Sequence, residues 1–225
     1  MPKTGHFHFA LTNPQNSLTI CLRSNSLLLK FRIRLKINVR HTSYINMFKR
    51  RLGSDAVVDL LYGDVFCPLA DNMSESLQGL IDPVELAGPH AYTQLKLEWF
   101  SLVAFLITFS FQREFAHLGQ EKNNFIIDHF HQILFGNVPD ISEDDIFPER
   151  MKARYREYYP IMKEDCRCLG IENTIVFRGM TEAFVSRIAP DKLHSKESLL
   201  FSLFLSDLYS LILKSYEKIK NYKIT

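Results

Sequence analysis

The first 54 residues of the chain contain no aspartate or glutamate, and the first acidic side chain is Asp55. This stretch carries ten of the 27 lysines and arginines, so the rest holds 17 basic and 25 acidic groups, a net charge of −8. A folded domain rarely divides its charge so sharply. We therefore predict a basic N-terminal extension over residues 1–46, outside the fold, and a folded domain over residues 47–225. Because that domain is acidic, nucleic-acid binding, which needs a basic face, is not expected.

Four interpretations of the extension stay open. Residues 30–40 alternate polar and apolar side chains with the period of a strand, yet no partner strand follows. The extension is a non-native segment preceding a start at Met47, a targeting peptide, a basic arm for a membrane surface or nucleic acid, or an edge strand of the domain. We expect a cytoplasmic protein, or an organellar one if residues 1–46 are a transit peptide.

Glycine is sparse as well: the nine glycines are spread out, and no two lie closer than nine residues. This spacing excludes a P-loop, a GxGxxG turn and a GxSxG elbow, which need clustered glycines. There is also no HExxH motif and no EF-hand loop. The sequence thus lacks the common nucleotide-binding and hydrolase frameworks, which favours a protein without catalytic activity.

The four cysteines do not form a disulfide framework, because one lies at position 21 and two are separated only by Arg167. A reducing compartment is the simpler interpretation. Cys166 and Cys168 lie closer than the usual Cys-x₂₋₄-Cys zinc pair, so ordinary thiols are favoured over a metal site there. The uncharged run 99–112 is shorter than a bilayer span and predicts a buried core helix, so no transmembrane segment is expected.

After Asp55 the apolar residues recur at helical spacing, which predicts an all-α domain, a bundle or orthogonal array of six to seven helices. The first predicted helix begins at Ser54 and runs through Leu61. The other predicted helices cover residues 74–81, 89–118, 123–136, 142–164, 173–188 and 195–221. Residues 63–73 are expected to form a loop. Ser54, Pro89, Gly119 and Gly136 supply the start and stop signals.

A polar stripe runs along helix 89–118. Its members recur along one line of the helix: Gln94, Glu98, Ser101, Thr108 and Gln112. The stripe predicts either a polar cavity lining, with Glu98 as a ligand or proton acceptor, or a thin edge facing solvent.

A second hypothesis from the same helices is a metal site. Three acid-x-x-His pairs occur, at 114/117, 128/131 and 191/194, and di-metal bundles use Glu-x-x-His pairs with single glutamates from other helices. The candidate ligands are Glu98, Glu114, His117, Asp128 and His131. In the competing interpretation, the histidines lie at a helix surface or make core hydrogen bonds.

The last helix carries four serines at every fourth position: Ser198, Ser202, Ser206 and Ser210. This ridge of small side chains predicts close approach of another helix, within the chain or across a dimer. Together these patterns favour a protein–protein interaction module: an adaptor, regulator or homo-oligomer. A helical metal- or ligand-binding protein is the alternative, and an anionic-surface binder acting through the basic extension is the third possibility.

Overall fold

A computed structural model describes residues 51–77, 80–81, 89–137, 146–172 and 177–225. This part of the chain is 86% helical with six main helices and almost no sheet, which confirms the predicted all-α class. The elements are β1 (Arg51–Leu52), α1 (Ser54–Asp59), a π-helix (Leu60–Phe66), α2 (Cys67–Asp71), α3 (Met73–Ser76), α4 (Pro89–Glu114), α5 (Gln120–Asn137), α6 (Phe147–Glu172), α7 (Arg178–Ile188), α8 (Lys196–Lys220) and β2 (Lys223–Ile224).

Several predicted helix ends agree with the structure. Gly119 follows a 3₁₀ turn after α4 and has the positive φ of 83° that favours glycine. The Ser195 side chain accepts a hydrogen bond from the Ser198 backbone N–H at 3.2 Å, which caps α8. The predictions on residues 1–46, on the helix start at 142 and on residues 173–176 lie outside the described residues.

The loop predicted over residues 63–73 is wrong, because helical structure is continuous from Ser54 to Asp71. Val65, Phe66 and Leu69 from this stretch are buried in the core. Pro68 occupies the first turn of α2, where its missing N–H is tolerated. Tertiary burial therefore outweighs the glycine and proline signals that suggested a loop.

Helix α4 lies at the centre of the described domain. Every residue from 99 to 108 is buried, so the prediction of a buried core helix over this run is confirmed. Side chains of α4 meet those of α8 at Trp99 and Phe204, Ser110 and Tyr216, and Glu114 and Lys220. Residue numbers rise together in these three pairs, so α4 and α8 run in the same direction.

The helices between them reverse the chain. His131 of α5 contacts Tyr155 of α6, and Phe135 contacts Phe147, so these two helices are antiparallel. The partners α6 and α7 are antiparallel by the same criterion, with contacts from Glu157 to Arg187 and from Asp165 to Gly179. Helix α6 runs in the same direction as α4, because residue numbers rise together in the pairs Gln94–Arg150, Glu98–Arg154 and Gln112–Tyr159.

The start of α7 is held by Asp165 of α6. Its two carboxylate oxygens accept hydrogen bonds from the backbone N–H groups of Gly179 (3.0 Å) and Met180 (2.9 Å). A Cβ at position 179 would lie 2.8 Å from Ile161 Cγ2, so the close approach of the two helices requires glycine there. Burial raises the Asp165 pKa, and these hydrogen bonds partly oppose that rise.

The two ends of the described domain meet. Strands β1 and β2 pair in parallel, with Arg51 opposite Lys223 and Leu52 opposite Ile224. The Thr225 backbone N–H donates to the Leu52 carbonyl at 2.9 Å, and the Lys122 ammonium of α5 donates to the Ile224 carbonyl at 3.1 Å. Such a short sheet depends on the helices beneath it, because an isolated strand pair is marginally stable.

Candidate functional site

Four residues of the polar stripe of α4 contact side chains of α6, whereas Ser101 donates to the Leu97 carbonyl of its own helix at 2.9 Å. The Arg150 guanidinium donates to Gln94 Oε1 at 2.8 Å, and the Tyr159 hydroxyl donates to Gln112 Oε1 at 2.6 Å. Arg154 forms a two-pronged ion pair with Glu98, whose Nε–Oε2 distance is 2.8 Å. These four residues therefore form a polar seam between the two helices.

Glu98 is largely enclosed in this seam, with 17% of its side chain exposed, and the Arg154 side chain is 24% exposed. The hydrogen bonds with Glu98 raise the Arg154 pKa, although burial opposes them. A bidentate guanidinium–carboxylate pair fixes orientation as well as charge. The Glu98–Arg154 pair therefore fixes the register of α4 against α6, and both carboxylate oxygens of Glu98 accept hydrogen bonds from Arg154.

His131 is buried at the meeting point of three helices. Its Nε2 lies 2.8 Å from the Tyr155 hydroxyl of α6 and 3.4 Å from Thr108 Oγ1 of α4. Burial lowers the His131 pKa to about 3, and a hydrogen bond with the Ile127 backbone partly counters this effect. A neutral imidazole is thus part of the core network, which matches the core-hydrogen-bond interpretation of this histidine.

The other three candidate ligands lie apart. Glu114 pairs with Lys220 at 2.8 Å, at the far end of α4 from Glu98. Sixteen residues of helix separate the two glutamates, which corresponds to about 24 Å. His117 is exposed in the 3₁₀ turn after α4, and Asp128 is half-buried on α5.

In the described ranges, no group of three or more His, Cys, Asp or Glu side chains is arranged to hold a metal ion. The di-metal hypothesis stays a prediction, and its test is metal analysis of the purified protein. Cys166 has a free thiol whose pKa burial raises to about 11, and Arg113 Nη1 lies 3.7 Å from its sulfur. The Cys168 side chain lies outside the described residues.

No known protein family matches this sequence. Neither does any curated protein or solved structure that was compared with it.

The serine ridge of α8 turns inward. Ser198, Ser202 and Ser206 are buried, and Ser210 is half-buried. The Ser206 and Ser210 hydroxyls donate to carbonyls one turn earlier, at 3.1 Å to Ser202 and 2.9 Å to Ser206. Their burial within one chain favours packing inside the domain over packing across a dimer.

The side of α8 that faces away from the core is a surface that the sequence did not single out. We call it the outer face; it contains Lys196, Leu199, Leu200, Leu203, Asp207, Leu211 and Lys214. The Leu199 and Leu200 side chains are 58% and 51% exposed. The signal that could have revealed it is the run Leu199–Leu205, in which every residue except Ser202 is apolar, so that apolar side chains cover more of the helix than one buried face requires.

Two of the described helices, α4 and α8, are long and apolar enough to cross a membrane by length and composition. They differ in burial. In α4 the apolar window is 78% buried by the rest of the chain, as is typical of a core helix, whereas in α8 the corresponding value is 44%. The described part of the chain thus leaves one of its two most apolar helices half uncovered.

Proposed function

We propose that this chain is a helical protein–protein interaction module that binds through the outer face of α8. The observation that supports this function is the exposure of two adjacent leucines on a rigid 25-residue helix. Leu203 and Phe204 extend the apolar area on either side, and Phe204 is held in place by stacking on Trp99. Contiguous apolar patches, unlike scattered single residues, mark interaction sites.

The other large exposed apolar side chains are scattered over separate elements. Tyr92 lies on α4, Phe125 on α5 and Ile146 just before α6. A buried apolar patch with a polar rim is the usual anatomy of a binding surface, and the lysines and aspartate of the outer face supply such a rim. Glu98, Glu114 and His131 already have protein partners, so they give less support to a ligand-binding function.

A photo-activated cross-linking residue at position 200 tests this function directly. Introduced in place of Leu200 in the full chain, it should form a covalent adduct with a polypeptide in the cells that produce the protein. The matched control is the same residue in place of Phe125, which is 52% exposed on a different helix. Equal labelling at both positions, or no adduct at position 200, would contradict the proposal.

A further inference from the structure

Four side chains along the outer face have the spacing that is typical of paired helices. Lys196, Leu200, Leu203 and Asp207 follow one another at intervals of four, three and four residues. This 3.5-residue repeat keeps the four side chains in one line along the helix, as in coiled coils. Leu200 is 51% exposed, Leu203 is half-buried, and both charged residues are exposed.

This line of four side chains on α8 is complementary to its own reversed copy. Reversing the order Lys196, Leu200, Leu203, Asp207 places a lysine opposite an aspartate at each end and a leucine opposite a leucine in the middle. In the described part of the chain, neither Lys196 nor Asp207 forms an ion pair. Lys196 acts electrostatically on its sequence neighbour Glu197, yet neither charge has an ion-pair partner among the described residues, whereas a reversed second copy would offer one to each.

From this pattern we infer that α8 pairs antiparallel with α8 of a second copy of the chain about a two-fold axis. Leu200 packs against Leu203 of the second copy, and Lys196 pairs with Asp207 of the second copy. Because a two-fold interface uses the same patch twice, each contact occurs twice. The inference rests on the proposed function, since it names the partner that the outer face binds.

Two other arrangements of the same face fit less well. Parallel pairing of α8 would place Lys196 opposite Lys196 and Asp207 opposite Asp207, and like charges at facing positions are destabilising. Insertion into a lipid surface would bring Asp207, which lies in line with Leu200 and Leu203, against anionic headgroups and acyl chains. The antiparallel pair alone gives both charges an opposite partner.

The paired stretch from 196 to 207 spans three helical turns, about 16 Å of helix axis. An interface of this extent belongs to the small, transient class, so we expect a weak and reversible dimer. Sedimentation equilibrium of the full chain, over several decades of concentration, is suited to measure it.

The decisive test is a charge exchange. K196E alone and D207K alone should each weaken self-association roughly tenfold, because each converts two attractive pairs into two repulsive ones. The double variant K196E/D207K should dimerise like the original chain. An equimolar mixture of the two single variants should form heterodimers, because every facing pair in that complex is again opposite in charge.

K163E is the matched control, since it makes the same charge change at an exposed position of α6, outside the outer face, and should leave the dimer unchanged. L200D should abolish self-association with an unchanged circular dichroism spectrum. A chain that is monomeric at every concentration overturns the inference, as does a mixture of single variants that stays monomeric. The inference is also overturned if the monomeric chain binds anionic phospholipid vesicles and L200D removes this binding.

Failure of the dimer and failure of the proposed function are distinguishable. If the cross-linking residue at position 200 captures a different polypeptide while the chain is monomeric, only the dimer is wrong. If it captures none and the chain is monomeric, both are wrong.

Discussion

His131 shows what a single buried polar side chain contributes to this domain. It joins α5 to α6 through Tyr155 and approaches Thr108 of α4. Burial also raises the Tyr155 pKa well above its usual value, so both groups are neutral at ordinary pH. A neutral, hydrogen-bonded network in a core is stabilising only while it stays uncharged.

This network predicts a specific loss of stability in acid. The unfolded His131 titrates near 6.5 and the folded one near 3, so between these values the unfolded state binds more protons. The free energy of unfolding should therefore fall as pH decreases from about 6.5 towards 3, by at most about 1.4 kcal/mol per pH unit from this group. Urea unfolding across this pH range measures the effect.

H131Q is the informative variant, because glutamine can hydrogen bond to Tyr155 but does not titrate. The difference between the original chain and H131Q should shrink as pH falls through this window. H117Q, at an exposed position in the turn after α4, serves as the control and should follow the original chain. A constant difference between the original chain and H131Q at all pH values would contradict the assigned burial effect.

At the scale of elements, the seam between α4 and α6 shows how far the sequence could be interpreted. The period of Gln94, Glu98, Thr108 and Gln112 revealed one polar line on a helix. It did not reveal what the line faces, because the partners Arg150, Arg154, Tyr155 and Tyr159 lie roughly fifty residues later and recur with a different spacing. Local periodicity identifies a face of a helix, whereas the packing of distant helices decides its role.

The same dependence on distant packing explains why the outer face was not predicted and why the loop over residues 63–73 was predicted wrongly. Gly63 and Pro68 are local signals for a break, but Phe66 contacts Phe100 and Phe130, and these contacts favour a continuous helix. Leu199 and Leu200 resemble core leucines in the sequence, and only the packing of α8 shows them exposed. The buried run of α4 was predictable because it is apolar on nearly all sides.

A double-mutant cycle on Glu98 and Arg154 tests the energetic importance of the seam. E98L or R154L alone should lower the free energy of unfolding by about 1–3 kcal/mol, because each leaves a partly buried charge without its partner. The double variant should cost less than the sum, with a coupling of about 1–2 kcal/mol. Equilibrium unfolding in urea gives all four values.

The exposed pair Arg178–Glu182 on α7 provides the matched comparison. Solvent screens this i, i+4 pair, so the same cycle there should yield a clearly smaller coupling. Equal coupling in the two cycles would show that the seam adds nothing beyond a surface ion pair.

At the scale of the whole molecule, contacts between distant parts of the chain close the described domain. The final residues meet Leu52 through β2, Ser54 through the Thr225 carbonyl at 3.2 Å, and α5 through Lys122. Ile224 is buried at this junction. The start of α1, whose Gly53 N-cap offers no side-chain hydrogen bond, thus depends on residues about 170 positions away.

Removing residues 223–225 should therefore loosen the start of the domain before the rest. We expect the free energy of unfolding to fall by about 1–3 kcal/mol, mainly through lost burial of Ile224. Amide hydrogen exchange should accelerate at Val57 and Val58 more than in the centre of α4, because local opening becomes easier where contacts are lost.

I224S in the full-length chain should reproduce most of the loss in stability, whereas K223A, at an exposed position, should not. Unchanged exchange at Val57 after the truncation would show that the start of α1 does not depend on residues 223–225.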